Sequence, residues 1–347
     1  MHLPTLSPMT KFVPLALILA LALPAQAVVL VIDYSYDTSN FFSGNAAAKA
    51  ALEAAATDIG AAITSNLGAV TTDVYTSTNG STSAIFDWSL SFTNPSTGGV
   101  VTENTFSAPA NQITLYAGVR ELSGSTLGVG GPSGASVFLN GSGFANQWVD
   151  AVAGAGSASD AAMLRGGGPV INTLSGSSTL SGTTANFNLG YGAILGSLSF
   201  DSDSVWHYDH TTAVLAGAND FYSVALHEIL HTIGVGTSET WNSLTSGTDW
   251  TGSNVIALMG TGVNLIDGGG AHIASGTMST RLSDGLAQEA VMDPTITVGT
   301  RKTLTELDLA FLRDLGFTTV PEPSRMLLLF VGAVGLLRIR RREMAVR

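Results

Sequence analysis

One stretch of fifteen residues, Asp220 to Gly234 (DFYSVALHEILHTIG), does most to limit how this chain can fold. Its pattern predicts a single helix: Asn219 or Asp220 can cap the start, and Gly234 can take the left-handed turn that ends it. Leu226, Ile229, Leu230 and Ile233 recur at helical spacing, so one face is built for burial. On another face His227 and His231 stand i and i+4, where both imidazoles can reach one metal ion. Glu228 sits between them, turned roughly 100° around the helix. A carboxylate there is placed to act on a water beside the metal and not to bind the metal itself. The competing reading is a chance five-residue match on an ordinary core helix.

Both ends of the chain read as addresses. Lys11, an apolar run from Phe12 to Leu23 and the small residues Ala25-Gln26-Ala27 form a secretory leader over residues 1–27, with Val28 as the first mature residue. The apolar run is too short for a permanent membrane anchor. At the other end Val320-Pro321-Glu322-Pro323-Ser324 precedes an apolar run from Met326 to Leu337, followed by Arg338, Arg340, Arg341 and Arg342. Residues 320–347 thus resemble the PEP-CTERM sorting signal of Gram-negative bacteria. The resemblance implies a short membrane helix and an exosortase as processing partner, and places the protein in the cell envelope, on the surface or in the extracellular matrix. The alternative is a plain C-terminal anchor held by its inside arginines.

The whole chain carries 14 basic and 26 acidic residues; without Lys11, the six tail arginines and Glu343, the body keeps 7 against 25. A body this acidic offers no basic patch for nucleic acid or an anionic membrane, so membrane contact is expected only through the two end segments. It leaves calcium (Ca2+) as a secondary candidate ligand, although no EF-hand loop is present. There is no cysteine, so an exported fold must rest on its core and not on disulfides. Residues 28–319 are enough to build one large domain.

Within that body Val28–Tyr36 reads as a strand, Asn45–Leu67 as an Ala-rich helix stopped by Gly68, and Ala84–Phe92, Gln112–Val119 and Ala193–Phe200 as further strands. Ser123–Thr184 is mostly Gly, Ser, Thr and Ala and reads as loops with at most a short helix. Thr237–Gly270 reads as a long loop. Thr303–Leu315 is a second amphipathic helix, with Thr303 and Glu306 as its capping box and Gly316 as its stop.

The HExxH pattern is the arrangement of zinc hydrolases. In metzincin proteases it extends to HExxHxxGxxH; here Gly234 fills the glycine position, but Thr237 stands where the third histidine belongs. Ala290-Val291-Met292-Asp293-Pro294 resembles the Met-turn of metzincins, and Val291–Phe317 is similar to the Met-turn and closing helix of matrixins. His272, after Asp267-Gly268-Gly269-Gly270, is the one histidine between the helix and Met292. Such a long spacing is similar to leishmanolysin-like metzincins, which, unlike this chain, contain cysteines. His207 and His210, or a gluzincin-type ligand at Glu239 or Glu289, are the alternatives for the third position.

The resemblance implies an α+β fold with a metzincin-like twisted mixed sheet, a backing helix, an active-site helix and a smaller C-terminal subdomain. It implies zinc (Zn2+) held by His227, His231 and His272, with Glu228 as general base acting on zinc-activated water. Gly234 is then the turn residue, Met292 the floor of the site, and Ala193–Phe200 the edge strand along which a protein or peptide substrate lies. Activity would be that of a zinc metalloendopeptidase. Two other readings stay open: an inactive surface, matrix or adhesion protein on the same fold, and a purely structural metal.

Overall fold

The structure, a computed structural model, describes residues 27–321. The leader and the sorting tail expected at 1–27 and 320–347 lie outside the described residues, except for Ala27, Val320 and Pro321. Among the described residues no helix is long and apolar enough to cross a membrane.

The chain is a mixed α+β structure with several separate sheets. The sheet that positions the site has four strands in the spatial order Val29–Asp33, Gln112–Arg120, Leu195–Asp201, Gly128–Pro132. The first three run parallel and the fourth is antiparallel at the edge. Gln112–Arg120 and Leu195–Asp201 are buried almost throughout, as parallel strands covered on both faces must be. Helix Ala46–Ala62 packs along the first strand and against helix Phe221–Thr232, which in turn lies against the edge strand. Tyr222 donates to the Asp58 carboxylate across this helix pair.

Asn45 caps the first long helix by accepting the Ala48 N–H, as its sequence suggests. The helix ends at Ala62, five residues before the predicted end at Leu67, because the following backbone bonds elsewhere. The Ile63 carbonyl accepts the Val28 N–H (3.2 Å), the Thr64 N–H reaches the Thr318 carbonyl (2.8 Å), and the Val320 N–H reaches the Ala62 carbonyl (2.9 Å). Nearby, Arg165 is buried in a left-handed conformation. Its guanidinium donates to the carbonyls of Gly68 (2.8 Å), Ala193 (2.9 Å) and Pro109 (3.1 Å), and burial lowers its pKa to about 10.

A second sheet is built on Thr82–Thr93, which pairs with Gly134–Ser142 on one side and with Val74–Asn79 and Val100–Glu103 end to end on the other. Helix Ala145–Met163 packs across it, and a long hairpin of Val170–Leu180 and Thr183–Gly192 follows. This corrects the loop reading of Ser123–Thr184. The helix buries Ala151, Ala155, Gly156 and Ser159, and Ser159 takes the Trp88 indole N–H at 2.8 Å. Small residues let it lie close to the sheet while leaving almost no apolar period to read.

Two further corrections bear on the site. Leu195–Asp201 is an inner strand, so the edge assigned to Ala193–Phe200 belongs to Gly128–Pro132. The stretch Thr237–Gly270 is not a featureless loop: it carries helices Glu239–Leu244 and Ser253–Met259. Trp241 and Trp250 pack there with Phe311 of the last helix at ring separations of 4.5–5.1 Å. That last helix runs Glu306–Asp314, and its capping box is Thr305 with Asp308, not Thr303 with Glu306. Both pairs have the right spacing. The chain uses the one whose carboxylate can be buried against the rest of the fold.

Candidate metal centre

Helix Phe221–Thr232 starts at Asp220, whose side chain accepts the Ser223 N–H and is held by the Arg301 guanidinium at 2.6 Å. Leu226, Ile229, Leu230 and Ile233 are fully buried, which fixes the rotation of the helix. His227 and His231 therefore project toward the same side, and His272 comes to meet them from its loop. The ligand atoms of the three histidines lie within 4.8 Å of one another. Thr237 does not join them: its hydroxyl donates to the His231 carbonyl at 2.7 Å and closes the last turn of the helix.

Each imidazole is fixed through its Nδ1. His227 Nδ1 lies 2.8 Å from the Val291 carbonyl, and His231 Nδ1 lies 2.8 Å from the Val235 carbonyl. Carbonyls only accept, so both nitrogens carry the proton and both Nε2 atoms keep a free lone pair. Gly234 makes the second contact geometrically accessible. Its φ of 112° turns the chain back so that the Val235 N–H bonds to the Leu230 carbonyl (3.0 Å) and the Val235 carbonyl faces His231. The Val291–Met292 turn touches the surroundings of two of the three histidines. Val291 orients His227, while the carbonyl of fully buried Met292 accepts the N–H of Ile273, the neighbour of His272 (3.2 Å).

His231 Nε2 and His272 Nε2 stand 3.1 Å apart. The Nδ1 of His272 lies 3.5 Å from the Asp267 carboxylate; with the proton on that nitrogen, neither Nε2 has a hydrogen to offer the other. Two lone pairs facing each other at this distance repel unless a cation lies between them, and the donor set fits a cation. Burial, reinforced by the neighbouring His231, holds His227 well below the usual imidazole range, and burial brings His231 to about 4. Both are thus neutral, the form a metal requires. Among the described residues these histidines are the only grouping of three or more metal-capable side chains; calcium finds no comparable set of carboxylates there.

The other candidates lie elsewhere. His207 Nε2 is bound to the Asp209 carbonyl (2.8 Å), and His210 stacks on Tyr222. Glu239 accepts from Thr173, and Glu289 pairs with Lys302 Nζ at 3.2 Å.

Glu228 is buried under the edge strand. Burial raises its carboxyl to about 8, a rise opposed by a hydrogen bond from the Gly130 backbone. The register explains why that amide is free. Ser133 N–H reaches the Leu195 carbonyl and Asp201 N–H the Leu127 carbonyl, both at 2.9 Å, so alternate residues Gly128 and Gly130 turn their peptide groups away from the sheet. A cleft of about 640 Å³ opens between this strand, the helix and the Val291–Lys302 segment; Gly128, Val224, His227, Glu228, His272 and Lys302 line it.

Gly130 is set by contact. A Cβ there would lie 2.2 Å from the Glu228 carbonyl oxygen, inside the backbone of the helix. Gly130→Ala should therefore cost about 1–3 kcal/mol, as overpacking does. Urea unfolding checks this; wild-type stability would mean that strand and helix are free to separate.

Several groups carry no functional signal in the sequence: the Val291 and Val235 carbonyls, Gly130, and the side chains of Asp267 and Asp308. The Asp-Gly-Gly-Gly run and the Thr305–Asp308 spacing were the available clues for the last two. Compared with models of protein families, with curated proteins and with solved structures, the chain finds no match in any of the three.

Proposed function

We propose that the protein is an exported zinc-dependent endopeptidase with a metzincin-like architecture. The observation that carries this reading is the convergence of His227, His231 and His272, each Nε2 free and each Nδ1 facing an acceptor, beside a buried carboxylate in an open cleft. Three imidazoles with room for a further ligand are the donor set of a catalytic zinc, which supplies Lewis-acid polarisation of a scissile carbonyl and acidifies water.

The remaining chemistry belongs to the chain. The outward peptide group of Gly128 gives an extended substrate backbone a place to pair on the edge strand, while the Gly130 N–H is held by Glu228. Glu228 takes a proton from the attacking water and delivers it to the leaving amine nitrogen. Its burial keeps bulk water from competing for that proton. Met292, through its backbone and its buried side chain, keeps the helix ligand and the loop ligand in register. Export through residues 1–27, and sorting by an exosortase acting on 320–347, complete the proposal and place the enzyme at the cell envelope or in the surrounding matrix.

The test is zinc content and casein hydrolysis by the purified protein and its His272→Ala variant. Wild type should hold about one zinc and cleave, and the variant should lose both, since a catalytic site needs three protein ligands. If the variant keeps full zinc and activity, the third ligand is another residue. A wild type that binds zinc but cleaves nothing favours the inactive surface or matrix protein.

A further inference from the structure

We infer that Asp267 is the positioning residue of the third ligand: one carboxylate folds the turn that delivers His272 and fixes the tautomer of its imidazole. The inference rests on the metal-centre reading above. The two ligands on the helix inherit their placement from a rigid, buried element and are oriented by main-chain carbonyls. His272 has no helix beneath it and arrives 41 residues after His231. Something local must hold it.

The loop closes by a bridge between Ile266 and Ile273, with Asp267-Gly268-Gly269-Gly270 at its tip. Asp267 Oδ1 accepts the N–H of Gly270 (2.7 Å) and that of His272 (3.3 Å). The Asp267 N–H returns to the His272 carbonyl at 2.9 Å, and the Trp241 indole N–H holds the Gly270 carbonyl at 2.7 Å. The turn is therefore written around one side chain. Its second oxygen, Oδ2, lies 3.5 Å from His272 Nδ1, longer than a usual hydrogen bond and within ion-pair range. A carboxylate cannot donate, so His272 keeps its proton on Nδ1 and turns a bare Nε2 toward His231. Among the described residues this is the one ligand imidazole that faces a carboxylate. A negative acceptor makes Nε2 a stronger donor to a metal than a carbonyl would.

The two roles can be separated. Asp267→Asn keeps an oxygen for the turn, since asparagine closes the same kind of turn, but it presents an amide N–H₂ to Nδ1 and removes the charge. The full chain carrying this variant should bind zinc ~10–100-fold more weakly, the range seen when such orienting partners are lost. Zinc affinity is read by competition with a chelator. The metal-free variant should melt at the wild-type temperature. In metal-free protein, long-range ¹H–¹⁵N spectra should show His272 as the Nδ1–H tautomer in wild type and moving to the Nε2–H tautomer in Asp267→Asn.

Unchanged zinc affinity in Asp267→Asn overturns the assignment, whatever the tautomer. A metal-free variant that melts well below wild type would show a purely structural role and also overturn it. If wild type binds no zinc, yet its His272 tautomer still depends on Asp267, the metal centre fails and the Asp267–His272 pairing stands.

Discussion

Glu228→Gln should leave a folded protein that keeps its metal and has lost its activity. The substitution removes the carboxylate next to His227 on the helix, while none of the three imidazoles loses an orienting partner. Casein hydrolysis should fall ~10²–10⁴-fold, the usual contribution of a positioned base, with zinc content unchanged. Activity near the wild-type level would remove Glu228 from that role; loss of zinc would make it a ligand.

The same variant reports on burial. In metal-free protein the Glu228 carboxyl is raised from 4.5 to about 8. The folded form keeps a proton that the unfolded chain releases above its ordinary pKa. The stability this group contributes is therefore complete at low pH and is lost as pH rises through about 8. Glutamine does not titrate, so the metal-free Gln variant should lose less melting temperature than wild type between pH 5 and pH 9. Parallel melting curves at the two pH values would mean the carboxyl is solvated.

Asp308→Ala is expected to give the largest loss of stability. This fully buried carboxylate accepts the Thr305 N–H (2.8 Å) and hydroxyl (2.7 Å) at the start of the last helix, and the Val291 N–H at 3.1 Å. Burial raises its pKa, and those hydrogen bonds oppose the rise. Its removal takes away the reciprocal half of the capping box and strands buried N–H groups at ~1–3 kcal/mol each. A total of about 3 kcal/mol or more follows from urea unfolding. Zinc affinity should fall as well, because the Val291 carbonyl that orients His227 sits on the same turn. Asp308→Asn, which retains an acceptor oxygen, should recover part of both. A stable Asp308→Ala protein would show that the Met292 turn holds itself.

What could be read from the sequence was what apolar period and fixed spacing record. The histidine helix has four large apolar residues on one face, so its limits, its buried side and the projection of His227 and His231 all follow. His272 was reachable by elimination, because few histidines exist to choose from. Helix Ala145–Met163 was hard to read because, between Trp148 and Val152 near its start and Met163 at its end, its packing face is alanine, glycine and serine. Its closeness to the sheet, not bulk, provides its contacts. The edge strand was missed for a related reason. Gly128, Gly130 and Gly131 look like a loop in one dimension, yet glycine is what allows a strand to lie against the helix backbone. The orienting groups of His227 and His231 were illegible in principle, since any residue has a carbonyl and only the fold says which one faces a ring.

Val28 and Val320 are both bonded to the turn at Ala62–Ile63, beside the strand at the opposite edge of the sheet from Gly128–Pro132. The segment from Val28 to Val320 is nearly a closed ring. A short linker could join these two positions, with new ends opened at the Ser181–Gly182 tip of the long hairpin, without disturbing any metal-facing residue. It also means that whatever is attached at either position shares a single corner. Four strands at about 4.8 Å spacing separate that corner from the cleft, so immobilisation there leaves the cleft facing a different neighbour from the support.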